Sequence, residues 1–225
     1  MRIGISLVLV LITSFASAQE QKHKEIESAY FNTVNNSSPL YKGVRYVDYG
    51  LTIEGNQFFT VTNATETQLT FNNVNYRNPS ILYDIHLDKL ITVYDKSLYT
   101  TLLASQINYF HIGSHLFIPV KDKSGNYGFY ESLYAGTYSL LIKHVKDINE
   151  KLNEREVLKK FVSSKKLFVY HHDQLTEIKS KNDLLKVFSN KENEIKKYIK
   201  EQILNFRKDI EASALQLVKF YENES

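Results

Sequence analysis

The chain has no cysteine and no tryptophan, and only 3 prolines, 1 methionine and 8 glycines in 225 residues. Without cysteine there is no disulfide frame of the kind that staples small secreted domains. Nor is there a residue to carry the lipid of a bacterial lipoprotein. Eight glycines are few for an enzyme that cradles phosphates. Gly-x-Ser-x-Gly, phosphate loops, His-Glu-x-x-His and calcium loops are all missing. Charge of one sign is scarce too: 28 basic against 25 acidic side chains give a formal +3, with no basic footprint for nucleic acid.

Long apolar runs are absent apart from one. Arg2 precedes an apolar stretch over residues 3–12, and Ala16-Ser17-Ala18 supplies the small-residue pattern that a signal peptidase cuts. Residues 1–18 therefore read as a signal peptide, too short to span a membrane. A buried N-terminal helix fits less well, because the polar run Gln19-Glu20-Gln21-Lys22 follows at once. The expected product is exported, periplasmic or extracellular, not a lipoprotein, and without a transmembrane helix in the mature chain. A chain of this size without disulfides relies on its own core, which suits a bacterial envelope protein.

What is abundant is tyrosine and phenylalanine, 16 and 13 of them, and 18 of these 29 aromatics fall within residues 40–146. There the pattern is alternation. Tyr127, Phe129, Glu131 and Leu133 share one face against Gly128, Tyr130, Ser132 and Tyr134, and Tyr138, Leu140, Ile142 and His144 share another. Turn chemistry separates the runs at Asn72-Asn73, Gly113-Ser114, Lys123-Ser124-Gly125-Asn126 and Ala135-Gly136. Connections this short join antiparallel neighbours, so residues 40–146 predict an antiparallel β-meander of about eight to ten strands, each about 4 to 8 residues long. The meander is expected to be a curled sheet or a partly closed barrel.

Residues 19–39 read as an N-terminal segment, with a short helix over 24–31 broken by Asn35-Asn36-Ser37-Ser38-Pro39. Beyond residue 146 charge thickens to 16 basic and 14 acidic residues over 147–225. This C-terminal region is expected to be mostly helical and packed on the sheet, giving an α+β fold overall. Asn153 with Glu156 predicts a helix burying Val157, Leu158, Phe161 and Val162. A hairpin over 167–179 turns at His172-Asp173-Gln174. Ser180 with Asp183 starts a helix carrying Leu184, Leu185, Val187 and Phe188, and Asn190 ends it or caps the next. Ile195, Tyr198, Ile199 and Ile203 form one face of the next. Asp209 caps the last, with Ile210, Ala214, Leu217, Val218 and Tyr221 along its stripe.

Candidate chemistry is sparse. His171-His172-Asp173 is the densest cluster of metal-type ligands, but adjacent strand residues point to opposite faces, and a polar hairpin tip explains it better. A two-residue turn at Gly113-Ser114 pairs Ile112 with His115 and His111 with Leu116, which puts His111 and His115 on opposite faces. Asp84, His86 and Asp88 alternate with Ile85 and Leu87. As an acid–base set they need a nucleophile or pocket beside them; the simpler reading is the solvent face and turn of a hairpin. Glu54 and Glu131 stand as isolated carboxylates. No residue is assigned a catalytic, cofactor-binding or metal-ligating role, and no cofactor is expected. The tyrosine stripes wall a core, with a binding groove as a lesser use of the same side chains.

At Leu40-Tyr41-Lys42-Gly43-Val44-Arg45-Tyr46, at Leu82-Tyr83-Asp84-Ile85 with Asp88-Lys89-Leu90, at Gly128-Phe129-Tyr130-Glu131-Ser132-Leu133-Tyr134 and at Ile178-Lys179-Ser180-Lys181-Asn182-Asp183-Leu184-Leu185, the chain resembles a group of uncharacterised secreted proteins of the Bacteroidota. The resemblance implies an envelope location and carries no activity with it. The expected function is a non-catalytic binding or interaction module associated with the envelope, its partner an envelope protein or an apolar ligand rather than nucleic acid. The alternatives are a lipocalin-like carrier of an apolar ligand and a small outer-membrane β-barrel.

Overall fold

The computed structural model describes residues 38–49, 53–60, 67–94, 98–152 and 157–223. The signal peptide over 1–18 and the helix expected over 24–31 lie outside the described residues. The chain divides into two units, residues 1–42 and 43–225. The described part of the first is a 3-10 turn, Pro39–Tyr41, where the Leu40 N–H donates to Ser38 Oγ.

In the second unit the described strands are, in chain order, β1 (Val44–Arg45), β2 (Ile53–Glu54), β3 (Thr67–Phe71), β4 (Val74–Arg77), β5 (Ile81–Asp84), β6 (Lys89–Tyr94) and β7 (Leu98–Thr101). They continue with β8 (Ile107–Ile112), β9 (His115–Lys121), β10 (Tyr127–Tyr134), β11 (Ser139–Leu152), β12 (Val157–His171) and β13 (Gln174–Ile178). Strands β8 to β13 run as an uninterrupted antiparallel meander that β3 and β4 extend, while β1-β7-β6-β5 form a separate four-stranded sheet. Strand β2 adds the one parallel pairing among the described residues, Ile53 and Glu54 beside Lys159 and Lys160 of β12. Neither sheet closes into a barrel: the larger ends at β4 and β13, the smaller at β1 and β5.

The turns follow from the residues that form them. Asn72-Asn73 and His172-Asp173 are two-residue connections with both residues at positive φ (51° and 62°, 47° and 57°), as a tight right-twisted hairpin requires. Gly113 supplies the left-handed residue at the β8–β9 turn with φ 60°, and Ile112 then pairs with His115 and His111 with Leu116, as the sequence predicts.

Register builds the core. Leu69, Phe110, Phe117, Glu131, Ile142, Leu167 and Ile178 stand directly opposite one another from β3 across β8 to β13. All seven are buried, so they form one transverse row on the covered face. At its β3–β10 end this face meets the smaller sheet through aromatic rings: Tyr83 of β5 lies 5.4 Å from Phe110, 5.1 Å from Phe117 and 5.7 Å from Phe129, edge to face. Burial of each such ring contributes roughly 1.5–3 kcal/mol.

At the β11–β13 end three helices cover the same face: α1 (Lys181–Val187), α2 (Glu192–Glu201) and α3 (Ile210–Asn223). Leu184, Leu185, Phe188, Ile195, Leu217, Val218 and Tyr221 pack there against Leu140, Ile142, Leu167, Val169 and Ile178. Asp209 Oδ1 accepts the Ala212 N–H at 2.9 Å and starts α3 as expected. Asp183 reaches back to the Lys179 N–H and Ser180 Oγ at the start of α1. The architecture is α+β, one antiparallel sheet covered on one face by a second sheet and by helices.

Strands β11 and β12, at 14 and 15 residues, overrun the expected 4 to 8, and the meander passes residue 146 to end with β13 at Ile178. Two further expectations need correction. The helix expected from Asn153 is absent: Val157 to His171 is strand β12, paired residue by residue with β11 from Leu152 opposite Val157 to Ser139 opposite Tyr170. The spacing of Val157, Leu158, Phe161 and Val162 suits a helix, but the continuous ladder with β11 decides the outcome, and only Phe161 of the four is buried. Secondly, Ile203 leaves the apolar face assigned to it. Helix α2 ends at Glu201, and Ile203 is 85 % exposed.

Candidate functional site

Around the β5–β6 turn and on strands β9 to β11 the ionisable groups form three compact networks. In the first, the buried Asp84 at the end of β5 accepts the backbone N–H groups of His86 and Leu87 on Oδ1, at 2.8 and 2.9 Å. Its Oδ2 accepts the hydroxyls of Tyr46 and Tyr49 at 2.9 and 3.3 Å. Gln57 Nε2 bridges Tyr46 Oη and Asp48 Oδ1 at 2.9 and 2.8 Å. Burial, and then the carboxylate of Asp84, push the phenol pKa values of Tyr46 and Tyr49 far above normal; the Gln57 bond pulls the other way on Tyr46. A cavity of about 120 Å³ adjoins, lined by Tyr46, Asp48, Phe58, Leu82 and Tyr99.

In the second network Asp88 accepts the Tyr83 hydroxyl at 2.6 Å and pairs with Lys143. Lys143 Nζ also donates to the Phe129 carbonyl at 2.9 Å and sits 4.8 Å from the Tyr130 ring centroid. Burial lowers the Lys143 pKa, against the opposing pull of Asp88. Gly128 makes room for the pair, since a Cβ there would lie 3.1 Å from Asp88 Oδ2 and 3.2 Å from Lys143 Nζ.

The third network holds Glu131, the single charged residue in the transverse apolar row. Its Oε1 accepts from His115 Nδ1 and its Oε2 from His144 Nε2, both at 2.6 Å. Burial works against the carboxylate charge, but the hydrogen bonds from His144 and then His115 outweigh it, so the Glu131 pKa lies below normal. The Phe59 ring closes over the trio, 5.1 Å from His115 and 4.8 Å from His144. The carboxylate accepts a hydrogen bond from His115 Nδ1–H and so orients the ring. Neither of the two cavities described in this section includes His115 among its lining residues. Each oxygen of Asp84, Asp88 and Glu131 already has a protein donor; the donors to Asp88 come from β5 of the smaller sheet and β10 and β11 of the larger, so that network ties the two sheets together, while Glu131 ties β9 to β11.

The sequence candidates fall accordingly. Asp84, His86 and Asp88 do not share a face: residues 85–88 form the turn between β5 and β6, which agrees with the hairpin reading, but Asp84 is buried rather than solvent-facing. His86 Nδ1 donates to the Lys146 carbonyl at 2.6 Å. His172 and Asp173 form a polar hairpin tip, with the Tyr170 hydroxyl donating to Asp173 Oδ1 at 2.8 Å and His171 stacked on Tyr138 at 3.7 Å. Glu54 forms an exposed ion pair with Lys160 at 2.6 Å. The meeting of Glu131 with two histidines escapes sequence reading, although a carboxylate on the apolar face of an alternating strand is the signal that marks it.

A larger opening than the one beside Tyr46 lies elsewhere, where β13 hands over to the helices. A groove of about 1000 Å³ runs between residues 179–182 on one side and the end of α2 with the α2–α3 connection on the other. Its apolar lining is Ile199, Ile203, Leu204, Phe206 and Ile210; its cations are Lys179, Lys181, Lys200 and Arg207; no carboxylate lines it.

The sequence shapes this groove through an unusual helix end. The Leu204 N–H donates to the Ile199 carbonyl at 3.0 Å and the Ile203 N–H to the Lys200 carbonyl at 3.3 Å, the paired bonds of a Schellman cap. Such a cap needs a left-handed residue, normally glycine. Here it is Ile203, at φ 52°. A β-branched side chain in that conformation costs about 1–2 kcal/mol, and it projects into the groove with no apolar burial to offset the cost.

Comparison with protein-family models, with curated proteins and with solved structures finds no match to this chain.

Proposed function

We propose that this chain is an exported, non-catalytic binding module whose ligand occupies the groove beside the α2–α3 connection. The observation that carries the reading is the groove itself: about 1000 Å³, at the upper end of the range for small-molecule sites, lined by apolar side chains, cations and three neutral polar residues. The buried ionisable networks support the non-catalytic half, since their carboxylates spend every oxygen on donors within the fold. The export half rests on the leader read over residues 1–18, which puts the mature chain in the periplasm or outside the cell without a lipid anchor.

Purification of the tagged chain from its native envelope under mild conditions, followed by native mass spectrometry, tests both halves. The expected chain begins at Gln19 and carries a bound species that an Ile203→Asp variant loses. A chain that retains residues 1–18, or a bound species recovered equally with the variant, overturns the corresponding half.

A further inference from the structure

We infer that the groove takes a single-chain anionic amphiphile, an alkyl tail ending in a phosphate or carboxylate. This rests on the groove being the binding site. The walls offer apolar side chains and four cations, with Ser180, Asn182 and Asn205 as their neutral polar groups. Much of the N–H side of the α2–α3 connection is already bonded: Lys208 and Asp209 N–H groups donate to the Asn205 carbonyl, and Asn205 Oδ1 accepts from Arg207 and Lys208 N–H groups. An extended peptide, which needs main-chain partners, finds few here. An alkyl chain needs none.

The charge is uncompensated from within. Among the described residues Lys181, Lys200 and Arg207 make no ion pair, and the carboxylates nearest in sequence are committed to other partners. Glu201 faces Lys197 at 3.8 Å, Glu211 faces Lys165 at 3.4 Å, and Asp209 caps α3. Asp183 is tied to Ser180 Oγ at 2.9 Å, and Glu177 lies 3.3 Å from Lys179 Nζ. An anionic headgroup therefore meets three free cations and a fourth shared one on the rim of an apolar trough.

Ile203 supplies the second, independent mark. A glycine would complete the Schellman cap without strain, yet the position holds a β-branched residue that is 85 % exposed. Strain retained at an exposed apolar position is expected where the side chain meets a ligand.

Calorimetric titration of the full chain with dodecyl phosphate, dodecyl maltoside, inorganic phosphate and an acidic leucine-containing peptide, all below micellar concentrations, decides the matter. Dodecyl phosphate is expected to saturate at one per chain, dodecyl maltoside to bind at least tenfold more weakly, and inorganic phosphate and the peptide to give no heat. The double variant Lys200→Glu, Arg207→Glu should weaken dodecyl phosphate at least tenfold more than it weakens dodecyl maltoside. Lys200, Ile203 and Arg207 are all exposed; circular dichroism checks the fold, and Lys200→Gln, Arg207→Gln serves if charge reversal disturbs it. Equal affinity for the two dodecyl compounds, both lowered by Ile203→Asp, would overturn the anionic class and leave the groove as the binding site. Tighter binding of the peptide would overturn the amphiphile in the same way. Absence of any binding, or binding indifferent to all variants, would overturn the inference and the groove together.

Discussion

His115 and His144 hold one carboxylate between them: Glu131 accepts His115 Nδ1 on Oε1 and His144 Nε2 on Oε2, each at 2.6 Å. The three residues sit on β9, β10 and β11, side by side on the covered face. Phe117 and Ile142 flank Glu131 in the transverse row, so the carboxylate marks the seam where the aromatic core under the smaller sheet gives way to the core under the helices. A charge at that seam is tolerated only because both oxygens are bonded.

Acid stability follows from this. The Glu131 pKa lies below its ordinary value of 4.5 in the folded chain, so its contribution is complete above about pH 4.5 and disappears as pH falls through the lower folded value. Glu131→Gln is expected to cost about 2–3 kcal/mol at neutral pH and to flatten the acid limb of stability against pH. Urea unfolding of both proteins between neutral pH and pH 3 checks this; parallel acid limbs would contradict it.

Asp84 is a second lock. Four donors converge on its carboxylate, two from the turn after β5 and two from Tyr46 and Tyr49. Asp84→Ala strands all four in a buried site, and a loss of about 3 kcal/mol or more is expected in denaturant unfolding, against less than half of that for Tyr49→Phe, which removes one donor. Similar losses for both would show that the carboxylate is not the hub.

Alkali should unfold the chain through its tyrosines. Burial, reinforced by Asp84 or Asp88, raises the pKa values of Tyr46, Tyr49 and Tyr83 above the ordinary 10.0. The folded state thus keeps protons that the unfolded state sheds, so stability is complete below about pH 10 and declines as pH rises beyond it. With no tryptophan in the chain, tyrosinate absorbance reads this directly. A class of tyrosines that ionises only together with loss of the circular dichroism signal is expected; a single smooth titration centred near 10 would contradict it.

Much of the fold was legible because it is written in short-range chemistry. Asn72-Asn73, Gly113-Ser114 and His172-Asp173 announce their hairpins, and the register of β8 on β9 follows from one such turn. The stripe on α3 and its Asp209 cap are equally local. The end of β12 was legible as the first strand of the 167–179 hairpin, but its beginning was not, since Val157, Leu158, Phe161 and Val162 match a helical stripe and only the long ladder with β11 overrides it. The Glu131 network was hidden for a related reason: three residues on three strands meet only once the register is set. Ile203 was hidden because it continues the α2 spacing, while the helix ends two residues earlier without a glycine to announce the stop.

Ile203 should therefore trade stability against binding. Ile203→Gly relieves a left-handed β-branched residue and is expected to stabilise the chain by about 1 kcal/mol while weakening dodecyl phosphate binding several-fold. Thermal melts and titration of the same variant check both signs. A variant that is less stable and binds as before would contradict both.

The most direct test is methyl-resolved NMR of isoleucine-labelled chain titrated with dodecyl phosphate. Shifts confined to Ile199, Ile203 and Ile210 are predicted, because these line the groove. Shifts centred instead on Ile81, Ile91 and Ile112, within the core of the two sheets, or no shifts at all, would contradict a ligand site beside the α2–α3 connection.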